Sequence, residues 1–149
     1  MKKIKAVMVM AMSVILCIGI TSCKKDNSVA EGGSLGSISS AIVGAWEASG
    51  HNATVTYYFE ADGTARCSYY YSGSRTWSQK EHIYTSWGLK GNTVTVKGGY
   101  WSRVDSNGET DSGTNGTVTF EYNGTTLTGG TYNLNDSGDP STVVYHKVY

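Results

Sequence analysis

A disulfide framework is the first thing this chain lacks. Its three cysteines are Cys17, Cys23 and Cys67, and Cys67 alone falls in the part that reads as a folded domain. A small exported domain held by bridges carries paired cysteines there, so this domain must be held by its core. Cys67 sits in the alternating run "TARCSYYY", where it reads as a small buried apolar residue. Helical periodicity is missing too: no window of the domain repeats apolar residues at helical spacing. Proline occurs once. The longest apolar run, Ala6 to Ile20, has fifteen residues, short of the ~20 that a spanning helix needs. Nor is there a basic face. From Cys23 onward the chain carries nine basic and twelve acidic side chains, and nucleic-acid binding is not expected.

What is present begins with an export signal. Lys2, Lys3 and Lys5 precede the apolar run, and Ile20-Thr21-Ser22-Cys23 ends it. This resembles the bacterial lipobox: an aliphatic residue, two small residues that admit the backbone to a peptidase, and a nucleophilic cysteine. The resemblance implies that residues 1–22 are a lipoprotein signal peptide and that Cys23 is the acylated N-terminus. It would carry palmitate-type chains, and two or more such chains hold a protein stably on a membrane. An aspartate after the cysteine favours the inner membrane; here Lys24 follows. The outer membrane is the expected address, with the periplasmic and surface faces both open. Residues 23–40, ending in the Ser/Gly-rich "DNSVAEGGSLGSISS", read as a lipidated flexible tether. Residues 41–149 then form one domain.

That domain reads as short strands between glycine-bearing turns. "ATVTYYFE" places Val55, Tyr57 and Phe59 on one face; "TARCSYYY" does so for Ala65, Cys67, Tyr69 and Tyr71. "SGSRTWSQ" reads as a loop before a run in which Ile83, Thr85, Trp87 and Leu89 alternate. "TVTVKGGYW" turns Val94 and Val96 inward, with a bulge at Gly98-Gly99. "DSNGETDSGTNG" reads as a polar connection, and "TVTFEY", "TTLTGGTYNL" and "TVVYHKVY" complete the set. With a first strand around Trp46, the count is eight. Connections are short, so strands adjacent in sequence should pair. The expected fold is all-β, an eight-stranded antiparallel up-and-down β-barrel, because closure removes exposed edges.

No catalytic constellation is present, and the protein is not expected to be an enzyme. His51, His82 and His146 are scattered without metal-ligand spacing. The loop Asp105 to Asp111 has oxygen-bearing side chains, but its glycine is misplaced for an EF-hand, and it reads as a solvated hairpin loop. Neither metal nor cofactor is expected.

The segment "SAIVGAWEA", with Ile42 and Val43 ahead of Gly44-Ala45-Trp46, resembles the opening of the lipocalin-like (calycin) barrels. There a short 3₁₀ turn precedes a Gly-x-Trp on the first strand. "YYFEADGTA", "SWGLKGNTVTV", "YNGTTLT" and "YHKVY" are similar to small lipocalin-like lipoproteins of the Bacteroidota. The resemblance implies that Trp46 closes the barrel floor, with Gly44 letting the backbone pack against it. Typical lipocalins lay an arginine of the last strand over that tryptophan. Lys147 is the candidate here.

Eleven tyrosines, four tryptophans and two phenylalanines are the remaining signal. Tyr57, Phe59, Tyr69, Tyr71, Trp87 and Phe120 fall on the inward face, beside the small residues Ala65, Cys67 and Thr85. An eight-stranded barrel either fills with side chains or holds one small ligand. The resemblance implies a non-catalytic binding module for a small apolar or amphipathic ligand, with those six aromatics lining its site. Tyr70, Trp77, Tyr84 and Tyr100 fall on the other face or in loops. They support an alternative, a glycan-contacting module or inhibitor that works through exposed aromatics.

Overall fold

The computed structural model describes residues 35–73, 77–132, 134 and 141–149. The described chain is all-β. Its eleven strands are β1 (Gly44–Ser49), β2 (Ala53–Phe59), β3 (Ala65–Ser72), β4 (Trp77–Tyr84), β5 (Ser86–Lys90) and β6 (Thr93–Lys97), followed by β7 (Tyr100–Asp105), β8 (Thr110–Thr114), β9 (Val118–Tyr122), β10 (Thr126–Tyr132) and β11 (Ser141–Lys147). They form an antiparallel sheet in the order β5-β6-β9-β10-β11-β1-β2-β3-β4-β7-β8, curled into a half-barrel around one core.

Eleven strands replace the eight expected, and each extra one has a local cause. β4 and β5 are separated only by Thr85, where the alternation changes phase. Tyr84 and Trp87 are buried there, while Thr85 is exposed and Ile83 is half-buried. Tyr84 and Thr85 therefore exchange the places expected of them. β6 and β7 are divided by Gly98 and Gly99, with φ of 72° and 80°. A Cβ on Gly99 would lie 1.9 Å from the Ile83 carbonyl oxygen, so only glycine fits this close approach. β4 also begins earlier than expected, at Trp77. β8 occupies a run that reads as a loop, because strands exposed on both faces carry no apolar alternation.

The up-and-down order holds only in part. β1 to β4, β5–β6, β7–β8 and β9 to β11 pair in sequence, but β6 pairs with β9 and β4 with β7. β5 and β8 are the edges of the sheet.

Tyr57 stands at the centre of the core. Its ring stacks near Phe59 and Tyr84 and meets Phe120 and Tyr145 edge-on at 4.8 and 5.5 Å. Such ring pairs add about 0.5–1.5 kcal/mol beyond area burial. Trp87 draws β5 across the concave face. Its backbone N–H donates to Gly63 and its indole N–H to the carbonyl of Glu60, both at 2.8 Å.

The outer side of β5 is covered as well. Ser37 and Leu89 exchange two backbone hydrogen bonds of 2.9 Å. A Cβ on Gly36 would lie 2.0 Å from the Leu89 carbonyl oxygen, which keeps that position glycine. The arm that follows turns at Ile42, whose N–H donates to Ser39, and then enters β1.

Candidate interaction face

The residues expected to matter divide into three groups. Trp46 is 1 % exposed, and its indole N–H donates to the Ile42 carbonyl at 2.8 Å. Lys147 lies opposite it in the β1–β11 register, with Nζ 5.6 Å from the ring centroid. That ammonium also donates to the Ala41 carbonyl at 3.0 Å, so the lysine both covers the indole and ties down the arm. Gly44 has φ 121°, and a Cβ there would lie 2.4 Å from the Tyr149 carbonyl oxygen. Its role is close approach to the C-terminal backbone. Cys23 lies outside the described residues.

The second group is the aromatic set expected to line a ligand site. Tyr57, Phe59, Trp87 and Phe120 are buried and in ring contact with one another. They form core. Tyr69 and Tyr71 are half-buried, and Tyr69 stacks on Tyr132 at 5.3 Å. Beneath that stack is a polar cluster that alternation did not single out. The hydroxyls of Tyr57 and Tyr132 are 3.1 Å apart, and Cys67 Sγ lies 3.6 Å from Tyr132. Burial pushes the Cys67 thiol up to about 12, although hydrogen bonds with Tyr132 and Tyr57 pull the other way. Burial likewise lifts Tyr84 to about 12 and raises Tyr132 and Tyr145 further. These groups stay neutral at physiological pH, and a neutral thiol is a poor nucleophile. The Tyr145 hydroxyl is buried without a hydrogen-bond partner among the described residues.

The histidines are not drawn together. Among the described residues no group of three His, Cys, Asp or Glu side chains could hold a metal ion. Asp105 uses its Oδ1 on the backbone N–H groups of Asn107 and Glu109. The loop expected to be a solvated hairpin is the β7–β8 turn.

The third group lies outside. Tyr100, Tyr70 and Trp77 are 57, 47 and 40 % exposed. Register places all three on the convex face of β3, β4 and β7, because Tyr70 pairs with Gln79, Gln79 with Val104, and Ile83 with Tyr100. On β4, β7 and β8 lies an open groove of about 390 Å³, lined by Gln79, Glu81, Ser102, Arg103, Val104, Thr110, Asp111 and Ser112. A smaller hollow of about 240 Å³ lies beside the β1–β2 turn, against Tyr70 and Ser72. The groove residues escaped notice because polar side chains on an exposed face leave no hydrophobic contrast. The available signal was the short polar alternation Gln79-x-Glu81, with Ser102 on a neighbouring run.

The concave side of the same strands differs. Lys80 Nζ sits 4.1 Å from the centre of the Trp101 ring. Trp101 in turn lies flat over Gly113, where a Cβ would come within 2.8 Å of the indole nitrogen. Comparison of the whole chain with family models, with curated proteins and with solved structures finds no match.

Proposed function

We propose that this protein is a lipid-anchored, lipocalin-like interaction module that meets its partner through the outer face of β3, β4, β7 and β8. One observation carries the reading. The inward aromatics are spent on packing, whereas Tyr70, Trp77 and Tyr100 stand in water on the same face as the larger groove. Large side chains left exposed together on one face mark contact surfaces more often than isolated ones do. The anchor rests on the lipobox-like segment ending at Cys23. The full barrel is the finer form of the half-barrel, with β4–β5, β6–β7 and β8–β9 each counted as one bent pass. Counted so, the pairing partners follow sequence order around eight passes.

Hydroxyl-radical footprinting tests the contact face. Tyr70, Trp77 and Tyr100 should oxidise more slowly in intact cells than in the purified protein. Equal rates would count against the face.

A second reading keeps a small amphipathic ligand on the concave side. It is favoured by the orphaned Tyr145 hydroxyl and the half-buried Tyr69 and Tyr132. A hydrophobic-probe titration should then quench Trp87 emission saturably, and Tyr69→Ala should weaken the effect. A flat titration discards this reading.

A further inference from the structure

We propose that the groove across β4, β7 and β8 binds a neutral saccharide; the inference rests on the outer-face reading and gives it a ligand class. The register sets the side chains out in rows. Gln79, Val104 and Thr110 form one row, and Glu81, Ser102 and Ser112 the next. Tyr70 extends the first row on β3, opposite Gln79, and Trp77 lies two residues beyond Gln79 along β4. Tyr100 stands at the other end, two residues before Ser102. Val104 is four residue steps on from Tyr100, roughly 13 Å of strand at about 3.3 Å each. Aromatic rings thus bracket two rows of hydrogen-bonding groups.

The chemistry of the rows selects the ligand. A sugar hydroxyl both donates and accepts, and its ring presents a face of C–H groups. Glu81 offers acceptors, Gln79 offers both kinds of group, and the hydroxyls of Ser102, Thr110 and Ser112 rotate to suit. Tyr and Trp rings give the C–H face a flat apolar surface with a polar edge.

These polar groups are also unspent. No hydrogen bond among the described residues engages the side chains of Gln79, Glu81, Ser102, Thr110 or Ser112. Elsewhere on the sheet the glutamates are occupied: Ser49 and Thr56 donate to Glu47, and Thr93 donates to Glu121. A protein partner would look for an apolar centre, and Val104 alone supplies one here. Glu81 is the charged side chain in these two rows, whereas Arg103 and Asp111 pair in register with Lys80 on the other side of the strands; an acidic face of this kind disfavours polyanions such as nucleic acid and uronate chains.

An oligosaccharide array carrying neutral and uronate-bearing members, probed with the full-length lipoprotein in detergent, is the test. Neutral members should bind, with little change from low to high salt. Tyr100→Ala and Glu81→Ala should each lower that binding at least tenfold, while Lys90→Ala should leave it intact. All three sites are exposed, where substitutions seldom disturb folding. No neutral member bound, or binding indifferent to both groove variants, overturns the proposal. If the array is silent while footprint protection persists in cells, the face is real and a protein occupies it. If protection is absent too, the outer-face reading falls with the saccharide.

Discussion

Asn115 Oδ1 lies 2.8 Å from Nδ1 of His82, while the amide nitrogen of Asn115 donates to the carbonyls of Ile83, Gly98 and Tyr100. With that nitrogen fixed as donor, the oxygen is the acceptor and His82 carries its proton on Nδ1. The backbone N–H of Asn115 adds a bond to Gly99. One residue therefore joins the end of β4, the Gly98-Gly99 break and the link from β8 to β9.

Asn115→Ala should cost about 1–3 kcal/mol, since it strands partly buried carbonyls. The readout is a lower urea midpoint at unchanged slope. Asn115→Asp should be at least as costly at neutral pH, because its carboxylate would face three carbonyl oxygens. A loss under about 0.5 kcal/mol, the usual size for a surface substitution, would show that the junction does not depend on this side chain.

The His82 imidazole is held below its usual range, first by burial and then by the nearby Lys80 charge, with the Asn115 hydrogen bond opposing both. The folded state then binds protons less readily than the unfolded one. Stability from this group is full above the ordinary histidine value of about 6.5 and falls as the pH drops towards the lowered folded value. Melting temperatures taken from pH 8 down to pH 5 should fall, and the fall should be shallower in His82→Gln. Parallel curves would place the pH dependence elsewhere.

Trp46→Ala should destabilise by about 3–5 kcal/mol, in the range of large core truncations. It removes a buried ring, the hydrogen bond to Ile42 and the surface beneath Lys147. Trp46→Phe separates these effects by keeping an aromatic body without the N–H. Lys147→Met should cost less than Trp46→Ala, through the lost bond to Ala41. Denaturant unfolding of the four chains ranks them, and an alanine variant within about 1 kcal/mol of wild type would remove Trp46 from the core argument.

Sequence was a good guide wherever one strand face is buried and the other is wet. Val55, Tyr57 and Phe59 alternate cleanly because β2 faces a single core, and Val94 and Val96 do the same in β6. Reading failed where geometry, not hydrophobicity, sets the pattern. The phase change at Thr85 is made by a bend, so Tyr84 was read outward although it is buried. β8 is a strand because β7 pairs with it, as in Arg103↔Asp111, and nothing within "TDSGT" announces that neighbour. The groove was illegible for a related reason: its members lie on three strands that only the register brings side by side. Asn115 lies in a run that reads as a polar connection, and its four side-chain partners are more than ten residues away in sequence.

Cys67 should be nearly inert to maleimide in the folded protein at pH 8. The thiol is buried and held up to about 12, and thiolate is the reacting form. In urea above the unfolding transition, labelling should go to completion. Rapid labelling of the folded protein would mean that the Tyr57–Tyr132 cluster opens without global unfolding.

Cys23→Ser should abolish palmitate incorporation and leave the signal segment uncleaved. Metabolic labelling and mass determination check both at once. Normal processing of the variant would dispose of the anchor.

The Ser37–Leu89 pair has a mechanical consequence. Among the described residues it ties the stretch ahead of β1 to the edge strand β5 through two backbone hydrogen bonds. Beyond them, the Ser39–Ile42 turn and the Lys147–Ala41 bond stand before β1. Two bonds at one bridge are a weak link in series with a strong one. They should release under modest force, before the β1 ladder does, leaving the sheet and its groove undistorted.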